Sequence, residues 1–154
     1  MKTCANMSTT AVPVHDVTAV VPLLMVTSME RSLAFYIEGL RFTIKNRWVP
    51  DGRLRWCWIS LGGAALMLQE AIDSSRQKMA AAGVLGNGVS LHFRCSDALA
   101  IYHDAAAHGI HALREPQVGN FSWEVVFADP DGYSIHFASP TDLPEETLLS
   151  QIKT

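Results

Sequence analysis

Cysteine is scarce in this sequence: Cys4, Cys57 and Cys95 are the only three in 154 residues. The number is odd and no Cys-x-x-Cys pair occurs, which argues against a disulfide framework and a zinc knuckle and fits a reducing compartment. Charge is sparse too, at 18% of residues, with a net charge of -3. No basic run is present, so the chain has no electrostatic footprint for nucleic acid. No apolar run approaches the length of a membrane span. The first residues carry Lys2 but no apolar core of a secretory signal. The expectation is a cytoplasmic protein that binds neither nucleic acid nor membrane. Also missing are a Gly-rich phosphate loop, a Gly-x-Ser-x-Gly elbow and a His-Glu-x-x-His pair, and with them the chemistry each would carry.

What is present is apolar, 49% of the chain, enough for one globular domain with a sizeable core. Residues 1–17 show no period and read as a loose arm. Residues 19–26 form an apolar run of strand length containing Pro22, which suits an edge. Ser28 offers an N-cap, Leu33 to Ile37 a helical cluster, and Gly39 a stop. Arg41 to Val49, Leu54 to Leu61 and Ala64 to Glu70 read as strands, separated by Pro50-Asp51-Gly52 and Gly62-Gly63. Residues 71–88 carry a short helix, Ser74 to Ala82, and a glycine-rich linker.

The pattern then restarts. Val89–Cys95 is a strand, Ser96 or Asp97 a cap, and Leu99 to Ala106 a helix ended by Gly109. Ile110–Arg114 is a short strand, Glu115–Asn120 a loop, and Phe121–Ala128 with Tyr133–Ala138 a closing hairpin. Val26 stands to Cys95 as Leu68 stands to Phe137, a step of 69 residues. The reading is an α+β chain: a single domain over 18–140, made of two βαβββ modules at about 18–70 and 88–139, with a cleft between curved sheets. Residues 141–154 are a tail whose Asp142, Pro144 and Glu145 signal a short helix.

The chain closes on Phe127-Ala-Asp-Pro-Asp-Gly-Tyr-Ser-Ile-His-Phe137. Asp-Pro-Asp-Gly suits a tight turn in which Pro sets φ, Asp bonds local N–H groups and Gly takes positive φ. After it Tyr133, Ile135 and Phe137 alternate with Ser134 and His136, so His136 lies on the face opposite the apolar one. Together with Met29-Glu-Arg-Ser-Leu-Ala-Phe-Tyr36 and the paired modules, this turn resembles the vicinal oxygen chelate superfamily of glyoxalases, extradiol dioxygenases and bleomycin- and fosfomycin-resistance proteins. The resemblance spans roughly residues 19–139.

In metal-dependent members of that superfamily, four strand positions supply metal ligands. Placed on this chain, they are Val21, Met67, Ser90 and His136, of which only His136 is a competent ligand for the divalent ions concerned. A runner-up site would hold one divalent metal on His92, His136 and Glu124. The metal-free bleomycin-resistance proteins resemble the chain better, in Val21-Pro22-Leu23 and His136-Phe137. That resemblance implies a homodimer without cofactor that sequesters a small planar or cationic molecule. The alternative it leaves is a lyase, isomerase or dioxygenase using an altered site around His92 and His136, two imidazoles able to do acid–base work.

The candidate lining is Trp48, Trp56, Trp58, Met67, Ser90, His92, Trp123 and His136. Trp56 and Trp58 share one strand face, and whether that face is cleft or core stays open. Arg94 shares the face of Ser90 and His92. Cys57 should point away from the tryptophans, and nothing near it or Cys95 suggests an activated thiol. Asp51, Arg53, Arg55 and Glu70 are expected as solvated charges, and His103, His108 and His111 as surface residues.

Overall fold

The computed structural model describes residues 17–83 and 85–152. The expected N-terminal arm lies outside them, save its last residue. Strand β1 (Leu23–Val26) is shorter than the apolar run that announces it. Pro22 has no N–H to give, and pairing starts at its carbonyl, which accepts from the Met67 amide at 2.8 Å. Helix α1 (Met29–Leu33) is capped by the Ser28 side chain, then widens into a π turn over Ala34–Gly39. There the Leu40 amide donates to the Phe35 carbonyl five residues back, at 2.9 Å. Strands β2 (Thr43–Trp48), β3 (Trp56–Leu61) and β4 (Ala64–Glu70) and helix α2 (Asp73–Ala82) follow.

The second module repeats the order with β5 (Ser90–Arg94), α3 (Ala98–Ala107), β6 (Gln117–Gly119), β7 (Ser122–Ala128) and β8 (Ser134–Pro140). Asp97 caps α3, accepting from the Ala100 amide at 2.9 Å. Each module is a four-stranded mixed sheet: β1-β4-β3-β2, with β1 parallel to β4, and β5-β8-β7-β6, with β5 parallel to β8. Neither sheet closes on itself, and the architecture is the α+β one expected.

Alternation decides the faces. On β3 and β4, Cys57, Ile59, Leu66 and Leu68 are buried, while Trp56, Trp58 and Met67 are half-buried. On β7 and β8, Val125, Phe127, Ile135 and Phe137 are buried. The buried sides meet α1 and α3 in one core that runs through both modules, with Phe42 set edge-on to Phe93 at 5.7 Å between ring centres. Three polar ties join the modules as well. Tyr36 donates to Asp129 Oδ2 at 3.0 Å, Tyr133 donates to the Met25 carbonyl at 3.0 Å, and the Thr27 amide and hydroxyl both donate to Asp131. The turn behaves as its composition dictates. Asp129 Oδ1 accepts from the Asp131 and Tyr133 amides at 2.9 and 2.8 Å, and Gly132 takes φ 90°.

Three expectations fail. Ile110–Arg114 is irregular chain, and the second strand of the second module is β6, inside the stretch expected as loop. A two-residue turn, Asn120-Phe121 with φ 50° and 59°, joins β6 to β7 in the manner of a type I′ hairpin. Among its described residues the tail does not form the expected helix and has only a 3₁₀ turn at Leu149–Gln151. Glu145, instead of capping a helix, accepts the Asn120 and Phe121 amides at 2.9 and 2.7 Å. The chain beyond it runs beside β6, where the Val118 amide donates to the Thr147 carbonyl at 2.8 Å. Finally, Glu70 is not a solvated charge. It is buried, 3.0 Å from Arg53 and 2.8 Å from Arg55, and it accepts the Met29 amide. Those partners outweigh its burial and hold its carboxyl below the ordinary range.

Candidate functional site

The faces turned away from the helices carry the candidates. On the first sheet, Trp48 lies opposite Trp56, and Trp58 opposite Met67, which in turn pairs with Leu23. These side chains form a largely apolar face, interrupted by Gln69 opposite Trp56 and Asn46 opposite Trp58, with no charged group on β3 or β4 between them. Trp48, 56% exposed, sits at its outer edge. On the second sheet, His92 lies opposite His136 and Ser90 opposite Ser134. The two imidazoles stack with ring centres 4.3 Å apart. Each is held by a serine two residues before it on its own strand: Ser90 at 2.9 Å from His92 Nε2, and Ser134 at 2.8 Å from His136 Nε2.

The second Nδ1 of that pair is unusual. His136 Nδ1 is buried and has no hydrogen-bond partner among the described residues. Desolvation lowers the His136 pKa below its ordinary value, and His92 and Arg114 push it the same way against the opposing pull of Glu124. These surroundings favour the neutral imidazole. Glu124 shares this face and lies 3.7 Å from Arg114. Trp123, expected beside them, is on the other side of β7. It is 6% exposed and belongs to the core, because β7 alternates and Glu124 takes the open face.

The two open faces meet in a hollow of about 620 Å³, walled by residues 18–22, Trp58, Ala65, Ser90, His92 and Arg94. It brings together Val21, Trp58, Ser90 and His92. Trp48, Trp56, Met67 and His136 extend its two faces outward rather than lining it. The contribution of residues 18–20 and of Ala65 has no sequence signal, since small apolar residues look alike in core and in cleft.

The family's metal positions do not fit a divalent ion. Val21 has no donor atom, Met67 offers a soft thioether and Ser90 engages His92. Among the described residues no three His, Cys, Asp or Glu side chains come together to hold a metal, so His92, Glu124 and His136 do not form the runner-up site. Of the two cysteines among the described residues neither is an activated thiol: burial pushes Cys57 up to about 11, and Cys95 is also raised by burial.

A family model described as the Glyoxalase/Bleomycin resistance protein/Dioxygenase superfamily matches residues 14–137. No curated protein matches the chain. Among solved structures, TnmS3, an antibiotic binding protein from Streptomyces sp. CB03234, is 21% identical at a TM-score of 0.61, over 82% of this chain and 100% of its own. A glyoxalase/bleomycin resistance protein/dioxygenase from Nocardioides is 18% identical at 0.62, over 88% and 92%. A bleomycin-binding protein complexed with bleomycin is 18% identical at 0.57, over 81% and 100%. At these identities the likeness is one of fold.

Proposed function

The chain belongs to the glyoxalase/bleomycin resistance protein/dioxygenase superfamily, and on that premise we propose that it binds a small planar molecule in the hollow between its sheets, without a metal ion and as a cytoplasmic homodimer. The observation that carries this reading is the apolar wall of Trp58, Met67, Trp56 and Trp48, which shares a face and ends at a hollow of about 620 Å³. Indole faces give flat ligands a large contact area at little entropic cost. Solved structures of like fold include an antibiotic binding protein and a bleomycin complex. The exposed Leu23 and Trp48, on the two opposite edge strands of the same sheet, support a second copy closing over it.

The test is tryptophan fluorescence of the full chain titrated with a panel of planar aromatic molecules. At least one is expected to quench saturably, and Trp58→Leu should weaken that ligand about tenfold, or about 1.4 kcal/mol. A panel that quenches nothing, or quenches the variant equally well, overturns the reading.

The His92–His136 stack favours a second reading, an acid–base enzyme of the same superfamily acting on an oxygen-rich substrate. Activity that survives His136→Ala unchanged removes it.

A further inference from the structure

Charge around the hollow is one-sided. Among the described residues its walls contain no Asp or Glu, yet they include Arg94 and, beside it on β5, His92 and Ser90. Among the described residues Arg94 forms no ion pair. The one carboxylate on the open face of the second sheet, Glu124, is 3.7 Å from Arg114. A cation bound here would meet a guanidinium and no counter-charge. An anion would meet an unpaired guanidinium, which presents parallel N–H donors suited to a carboxylate, and polar side chains next to it. Across from these donors stands Trp58, and beyond it the neutral face of Met67 and Trp56.

We infer that the molecule this hollow takes is a flat aromatic acid, its ring against Trp58 and its ionised oxygen group, carboxylate or phenolate, toward Arg94 and His92. The inference rests on the binding reading above and narrows it, since the planar cation that the family resemblance allows is the species the walls disfavour. Electrostatic complementarity of this kind selects among ligands of one shape more than it adds raw affinity.

Arg94 and Phe93 also wall a second hollow of about 690 Å³ on the α3 side, which contains Asp104. The experiment has to tell the two hollows apart. Equilibrium dialysis of the full chain against naphthoate, naphthalenemethanol and naphthylmethylammonium compares one ring with three charges. Naphthoate is expected to bind about tenfold more tightly than the ammonium compound. Arg94→Gln should erase that preference while leaving the neutral alcohol as it was, Arg94→Lys should retain most of it, and Trp58→Leu should weaken all three. Equal binding of the three charges, or preference for the cation, overturns the inference and leaves the binding reading standing. No binding of any probe overturns both. Loss of naphthoate in Arg94→Gln without any loss in Trp58→Leu would place the acid in the second hollow and overturn the assignment made here.

Discussion

His136 shows how much one side chain depends on its surroundings. Its Nε2 is engaged by Ser134, its Nδ1 is buried without a partner among the described residues, and its ring stacks on that of His92. Protonation would place a charge in a poorly solvated site beside a second imidazole. The native pKa is therefore lower than that of the unfolded chain, and the unfolded state binds more protons as the solution turns acid. Stability rises with pH under that condition. The contribution is complete above the free imidazole value and is lost as pH falls through it toward the native one. The urea midpoint is expected to drop between neutral and mildly acidic pH, and to drop less in His136→Gln, which keeps a polar group for Ser134. Equal slopes in the two proteins would mean that His136 is not the group responsible.

At the scale of elements, the π turn after α1 matters most. It brings Gly39 against Ile110, which follows α3 in the other module. A β-carbon on Gly39 would lie 2.2 Å from Ile110 Cγ1, closer than packing permits. Gly39→Ala is expected to cost about 1–3 kcal/mol, and Ile110→Ala in the same chain should recover part of it, as a double-mutant cycle on chemical denaturation would show. Failure of the second substitution to rescue the first would mean the strain is relieved elsewhere. Gly39 reads from the sequence only as a helix stop, because close approach between distant segments leaves no local mark. The repeated βαβββ order was legible, since period-two alternation on β3, β4, β7 and β8 is a local property of the chain. Where a residue's role is set by a distant partner, the sequence misleads. Glu145 looks like a helix cap and instead holds the Asn120-Phe121 turn, and Glu70 looks solvated and is buried between two arginines. Trp123 and Glu124 sit one residue apart on β7, so a shift of a single position exchanges core for cleft, and the tryptophan went to the core.

For the molecule as a whole, the question is whether the modules are separable. The core is continuous across them, and Asp131, on the last turn of the second module, takes both the amide and the hydroxyl of Thr27 in the first. Unfolding should be a single event. Far-ultraviolet dichroism and the fluorescence of the four tryptophans, three in the first module and Trp123 in the second, are expected to report one shared transition. Asp131→Ala should move that transition down by about 1–3 kcal/mol without splitting it. Two resolved transitions would show that the tie is incidental. The same repetition has a further consequence. Leu23 and Met67 occupy in the first sheet the partnered positions that His92 and His136 occupy in the second. The strand order is the same in both modules, but the paired side chains are not: one wall is apolar and the other carries imidazole and hydroxyl groups. A guest of the proposed kind would thus tell left from right in a container built twice to one plan, and turned over it would lose its match.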